Sequence, residues 1–111
     1  MLATDDATLI GELGTNVQID LDEPGIPFSL SGRLRRLVAS TKGSVAVMGA
    51  GALPLLKADD LQAVTERLRR GPRIVVTNNL YSSDLTAWTP ADALTEVAPF
   101  ERDNRLARSL R

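Results

Sequence analysis

The stretch from Ser44 to Thr77 constrains the fold of this chain more than any other part of the sequence. The short apolar run Val45–Met48 is rich in β-branched residues and predicts a strand covered on both faces, as in parallel sheets. A helix is predicted over Ala58–Arg70, with acidic residues near its start and arginines near its end. A second apolar run, Arg73–Thr77, predicts another strand. Together they predict a parallel β–α–β unit with a right-handed crossover.

Weaker signals extend this pattern on both sides. Thr15–Leu21 alternates apolar and polar residues and predicts a short strand. Ser31 is predicted to cap a helix ending at Ala39, and Leu85–Thr89 predicts a further strand. Pro90 is expected to open a helix over Ala91–Val97. We therefore predict one α/β domain over residues 1–111, with three α/β/α layers and a mostly parallel, Rossmann-like sheet.

Within the helix predicted over Ala58–Arg70, apolar residues recur on one side. Leu61, Val64 and Leu68 follow helical spacing and predict the buried stripe. In the preceding helix, Leu34, Leu37 and Val38 are expected to do the same. Near the end of the chain, Asp103 is predicted to cap a last helix.

Charge and missing residue types exclude several classes of function. The 111 residues carry 13 basic and 14 acidic side chains, so no net field attracts nucleic acid or an anionic membrane. The absence of cysteine excludes disulfides, and the absence of histidine removes the commonest general base. Any metal is therefore expected to be a hard cation bound by oxygen. Without a long apolar run or a signal peptide, a cytoplasmic location is expected.

A glycine-rich segment follows the first predicted strand of the β–α–β unit, where ligands bind in open α/β sheets. Gly49 and Gly51 would allow backbone N–H groups to approach a phosphate closely. Pro54, however, stands where a dinucleotide fingerprint needs a third small residue, and it has no N–H to donate. A tight loop that needs small residues is the alternative interpretation.

A polar segment, Thr77–Asp84, follows the second predicted strand and contains two amides, four hydroxyls and one carboxylate. Asn78 and Asn79 are candidates to read a base or sugar edge, and Asp84 is a candidate ligand for a hard cation. Because both strands of a β–α–β unit end at the same edge, this segment and the Gly49 loop are expected to line one crevice. The alternative is a turn, since Asn, Ser and Asp favour turns for local reasons.

Two further groups of charged residues have both a functional interpretation and a simpler one as solvated surface. Asp20 and Asp22 match a D-x-D metal-binding pattern, but a solvated loop before Pro24 explains them as well. Arg33 and Arg36 lie on one face of a predicted helix, as a solvated flank or as an anion clamp.

Residues Pro27 to Ser109 resemble the middle of NTP-transferase-like proteins, relatives of the molybdenum cofactor guanylyltransferases with the glycosyltransferase-A type of fold. The matching segments are Pro27–Leu34, Val47–Leu56, Val76–Asp84, Trp88–Ala91 and Asp103-Asn104 with Leu106-Ala107. The most distinctive of them is the T-N-N-x-Y-S-x-D pattern. The resemblance implies a partial nucleotidyltransferase fold, with the Gly49 loop near the metal and nucleotide phosphates. It also implies that Asn78 to Asp84 approach a sugar or other substrate.

The resemblance further implies nucleotidyl transfer from an NTP, with Mg²⁺ holding the phosphates. Because nothing before Thr15 resembles the glycine-rich basic loop of that family, the chain is expected to be inactive alone, as a fragment or shortened form of a longer domain. Uncovered sheet edges then predict a homo-oligomer or a partner subunit. Two alternatives remain: a non-catalytic binding or assembly module, and a Rossmann-like cofactor-binding domain that uses the Gly49 loop.

Overall fold

The computed structural model describes residues 1–9, 16–51, 53–81 and 84–111. Their elements, in chain order, are β1 (Leu2–Thr4), β2 (Ile19–Leu21), α1 (Leu30–Val38), β3 (Val45–Met48), α2 (Ala58–Leu68), β4 (Ile74–Thr77), β5 (Leu85–Thr89), a 3₁₀ helix (Ala91–Glu96), a 3₁₀ turn (Asp103–Arg105) and α3 (Leu106–Leu110). β1 and β2 form a parallel pair, and β3, β4 and β5 form a separate antiparallel sheet. The chain is therefore a small mixed α/β domain. The first residue of the predicted strand Thr15–Leu21 lies outside the described residues.

The prediction of a mostly parallel, Rossmann-like sheet is wrong, whereas the partial nucleotidyltransferase fold stays a prediction. In the three-stranded sheet the order is β3-β5-β4, and β5 runs antiparallel to both neighbours. β3 and β4 point in the same direction and are connected through α2, as predicted, but β5 separates them. The central position of β5 is explained by burial. Leu85–Trp88 are buried on both faces of the sheet, whereas β3 alternates between half-buried and exposed residues. The most buried strand takes the central position.

One face of this sheet carries the main hydrophobic core. The strand register places Val45, Trp88 and Val75 side by side across the three strands. Trp88 is completely buried, and its indole N–H donates a hydrogen bond to the carbonyl oxygen of Ala91 at 3.2 Å. The buried residues of this core are Leu34, Val38, Trp88, Ala93, Leu94, Phe100, Leu106 and Leu110. They come from α1, β5, α3 and the segment that joins β5 to α3.

On the opposite face, α2 packs mainly over β4 and β5. Leu68 is buried there as predicted, but Leu61 is 42% exposed and Val64 is half-buried, so only part of the predicted stripe is in the core. Ala46 and Met48 of β3 are exposed. The prediction that β3 is covered on both faces is therefore wrong, because the helix that follows β3 packs over the other two strands.

The helix starts also differ from prediction. The hydroxyl of Ser29, not that of Ser31, caps α1 by accepting the N–H of Gly32 at 3.2 Å, while Ser31 is buried inside the helix. The segment after Pro90 forms a 3₁₀ helix rather than an α-helix. The predicted last helix is present as α3, after a 3₁₀ turn. No helix in the described ranges is both long and apolar enough to cross a membrane.

Candidate functional site

The two loops predicted to share one edge of the sheet do meet there. β3 and β4 both run antiparallel to β5, so their carboxyl ends lie beside the start of β5. The N–H of Gly49 donates a hydrogen bond to the carbonyl oxygen of Asp84 at 3.1 Å. This bond joins the Gly49 loop to the polar segment Thr77–Asp84, called the polar loop below. Three residues of these two segments, Ala52, Ser82 and Ser83, lie outside the described residues.

Asn78 and Asp84, two of the predicted site residues, close the hairpin between β4 and β5. The side-chain oxygen of Asn78 accepts the backbone N–H groups of Asp84 and Leu85, each at 3.1 Å. Its amide nitrogen donates to the carboxylate of Asp84 at 3.2 Å. The Asn78 amide thus holds the two ends of the loop together, which favours the alternative that this segment is a turn.

Asn79 holds the next part of the loop and positions an aromatic ring. The Thr77 hydroxyl donates to the carbonyl oxygen of Asn79 at 2.9 Å, and the Asn79 side-chain oxygen accepts the N–H of Tyr81 at 2.9 Å. The bond between Asn79 and Tyr81 is that of an Asx turn. It leaves the Tyr81 side chain 65% exposed. Asn79 therefore acts here as a support for Tyr81.

Gly51 has a backbone requirement of its own. Its φ of +72° lies in the left-handed region, which costs energy for residues other than glycine. A Cβ atom built at Gly51 would meet no atom within 4 Å. The turn conformation, and not close packing by the protein, explains this glycine.

Asp84, the candidate ligand of a hard cation, lies in the polar loop beside Asn78. Its carboxylate accepts a hydrogen bond from Asn78, and a protein site for a hard cation needs several oxygen ligands. Within the described part of the chain, no three acidic side chains come close enough together to hold a metal.

Tyr81 lies at a groove that the sequence did not predict. This groove, called the arginine groove below, measures about 630 Å³ and is lined by Tyr81, Pro99, Phe100, Glu101, Arg102, Asn104, Arg105 and Arg108. The guanidinium carbon of Arg108 is 5.1 Å from the centre of the Tyr81 ring, a cation–π distance. The polar loop and the last helix therefore form the two sides of one surface.

The three arginines are brought to one side by local geometry. The N–H of Arg105 donates to the carbonyl oxygen of Arg102 at 3.1 Å, a 3₁₀ bond that aligns residues three apart. Arg108 continues the same spacing into α3. All three side chains are exposed, and no described carboxylate forms an ion pair with any of them. Among the lining residues whose side chains the structure describes, Glu101 is the one acidic residue, against three arginines.

The other charged cluster is structural. Arg33 donates to Asp20 at 2.8 Å and also contacts Asp22, and its side chain is only 10% exposed. Arg36 donates to the same Asp20 carboxylate at 2.8 and 3.2 Å. Hydrogen bonding from Arg36 is the largest cause that holds the pKa of Asp20 below its ordinary value; burial opposes it, and a weaker contribution from the Arg33 hydrogen bond adds to it. These bonds attach β2 to α1, which is a structural role for both Asp20 and the two arginines.

No protein-family model, curated protein or solved structure matches this chain. The sequence did carry one signal for the arginine groove, which is the recurrence of arginine at every third position from Arg102 to Arg108. That signal was missed because the segment was interpreted only as the start of a last helix.

Proposed function

We propose that this chain is a non-catalytic binding module for a nucleotide or sugar nucleotide, which it binds in the arginine groove. The observation that carries this proposal is the convergence of Arg102, Arg105 and Arg108 on one groove beside the exposed ring of Tyr81. A guanidinium without a carboxylate partner is free to bind a phosphate through two parallel N–H···O bonds.

Each part of such a ligand has a complementary group. The phosphates would bind the guanidinium groups of Arg102 and Arg105, which offset their charge. The base would stack on the ring of Tyr81, because every base presents a π face to an aromatic side chain. Arg108 already lies against that ring, so it would contact the ligand from the side of α3. Asn79 supports this arrangement through its bond to the N–H of Tyr81.

Nucleotidyl transfer, which the family resemblance implies, is the second candidate. It requires a group that activates or positions the acceptor and a cation on the triphosphate. Because Asp84 bonds to Asn78, we propose that Mg²⁺ would arrive with the nucleotide phosphates and not in a site made by the protein. The expected cytoplasmic location agrees with a nucleotide ligand and is part of this proposal.

Calorimetric titration tests the binding proposal. GTP, CTP and UDP-glucose are titrated with and without Mg²⁺, and guanosine is the phosphate-free comparison. Arg105→Gln removes one guanidinium that is accessible in the groove. Hydrogen bonds to a charged group contribute about 1.5–3 kcal/mol, so affinity for a binding nucleotide should fall by ~10- to 100-fold. Arg67→Gln is the matched control, because Arg67 is exposed on α2 and does not line the groove.

Tyr81→Ala separates stacking from charge. It should weaken nucleotide binding by about 1–3 kcal/mol and leave the affinity for inorganic pyrophosphate unchanged. Equal binding of guanosine and GTP would contradict the role of the arginines. Release of pyrophosphate in the presence of an acceptor would establish the transferase instead of the binding module.

The self-association predicted from the sequence is a separate proposal. β3 is one edge of the sheet and carries the exposed residues Ala46 and Met48, so it is the edge at which two copies would pair. Sedimentation equilibrium at micromolar concentration tests it, and a monomer at all concentrations would contradict it.

A further inference from the structure

The other edge of the sheet, β4, presents unpaired backbone groups. Asn78 donates its N–H to Leu85 at 3.4 Å, which marks that pair as hydrogen-bonded across β4 and β5. In an antiparallel pair such residues alternate with residues whose backbone groups point away from the neighbouring strand. Counting back from Asn78, the N–H and C=O groups of Val75 and Thr77 therefore point to the open side of β4.

A groove of about 420 Å³ lies directly beside this edge. Val75 and Thr77 line it from β4, and Leu80, Ala107 and Leu110 add apolar surface from the loop and from α3. Among the residues that the structure describes, none lines both this groove and the arginine groove. A strand added to β4 would place every second side chain in this groove while its backbone paired with Val75 and Thr77.

The charge of the groove indicates what kind of strand fits. Arg73 and Arg111 line it, and no acidic residue is among the described residues that line it. Arg73 contacts Glu96, but both side chains are more than half exposed, and such a pair exchanges partners at little cost. A second copy of this chain paired at β4 would bring its own Arg73 and Arg111 to the same surface. An acidic segment is therefore better matched than a second copy.

We infer that β4 binds an extended segment of another protein by strand addition, and that this segment is apolar at its centre and acidic at its ends. The centre fills the groove beside Leu80 and Leu110. The acidic ends bind Arg73 and Arg111.

Amide exchange measured by NMR tests this inference on the whole chain. The probe is a synthetic peptide with capped ends, alternating valine and threonine in its centre and glutamate at both ends. At saturation, exchange of the Val75 and Thr77 amides should slow by ~10-fold or more, because their N–H groups become hydrogen-bonded. The amides of Ala46 and Met48, on the opposite edge, should not change. The same peptide with lysine at both ends should bind at least ~10-fold more weakly.

Proline variants locate the pairing. Thr77→Pro removes an N–H that points away from β5, so it should abolish peptide binding while the ladder to β5 is kept. Ala46→Pro makes the corresponding change on β3 and should leave binding unchanged.

Three outcomes would overturn the inference. The first is protection of the β3 amides instead of the β4 amides. The second is equal binding of the glutamate and lysine peptides. The third is protection of Val75 and Thr77 without peptide that rises with protein concentration, since a second copy would then occupy the edge. If Thr77→Pro does not fold, the exchange pattern of the wild-type chain decides between these outcomes.

Discussion

Replacement of Asn78 by alanine tests the residue on which the β4–β5 hairpin depends. The variant removes the acceptor of two backbone N–H groups and the donor to the Asp84 carboxylate. One of those N–H groups belongs to Leu85, the first residue of the most buried strand. A typical intramolecular hydrogen bond contributes about 1 kcal/mol net, and a partly buried donor without an acceptor costs more. We expect Asn78→Ala to lower the free energy of unfolding by about 2–3 kcal/mol.

Urea denaturation monitored by Trp88 fluorescence measures this loss. Trp88 is completely buried in the strand that Asn78 supports, so its emission reports unfolding of the core. With a slope of roughly 1.5 kcal/mol per molar urea, the midpoint should fall by roughly 1–2 M. Asn16→Ala is the matched control, because Asn16 is exposed, and its midpoint should change little.

Asn78→Asp separates the contribution of the hydrogen bonds that Asn78 accepts from that of the one it donates. It keeps both acceptor bonds, loses the donor, and places a second carboxylate against Asp84. Its loss of stability should shrink at about 1 M salt, where the repulsion is screened, whereas the loss in Asn78→Ala should not. A change in Asn78→Ala no larger than in Asn16→Ala would refute the assigned role of this amide.

Further variants test the packing and the charges. Leu68→Ala should cost ~2–5 kcal/mol in urea denaturation, whereas Leu61→Ala should cost less than about 1 kcal/mol because Leu61 is largely exposed. Thr86→Val should stabilise the chain by roughly 1 kcal/mol, because it removes a buried hydroxyl that has no hydrogen-bond partner. Bonding to Arg36 lowers the pKa of Asp20 below 3.8. The stability that the ionised Asp20 contributes to the fold is therefore present above that pH and is lost as the pH falls through the folded-state pKa. Asp20→Asn should therefore cost ~1–3 kcal/mol at pH 7 and flatten the acid limb of the stability curve, and an unchanged acid limb would contradict this.

The sequence by itself determined most of the helices and strands, although not β1. Val45–Met48, Ala58–Leu68 and Ile74–Thr77 are all present close to their predicted bounds, and so is a strand over Leu85–Thr89. These elements are predictable because apolar spacing and helix-end residues act within a few positions of each other. The meeting of the Gly49 loop with the polar loop was also predictable, since it needs only that β3 and β4 point the same way.

Only the tertiary structure decided the order of the strands and the place of the candidate site. Local pattern cannot tell that β5 enters between β3 and β4, because strand order depends on competition among all strands for the most buried position. The ion pair of Asp20 with Arg33 joins residues 13 positions apart, and the approach of Arg108 to Tyr81 joins residues farther apart still. Such contacts have no signature in either segment alone. They exist because burying the core side chains brings surfaces together whose charges and rings then meet.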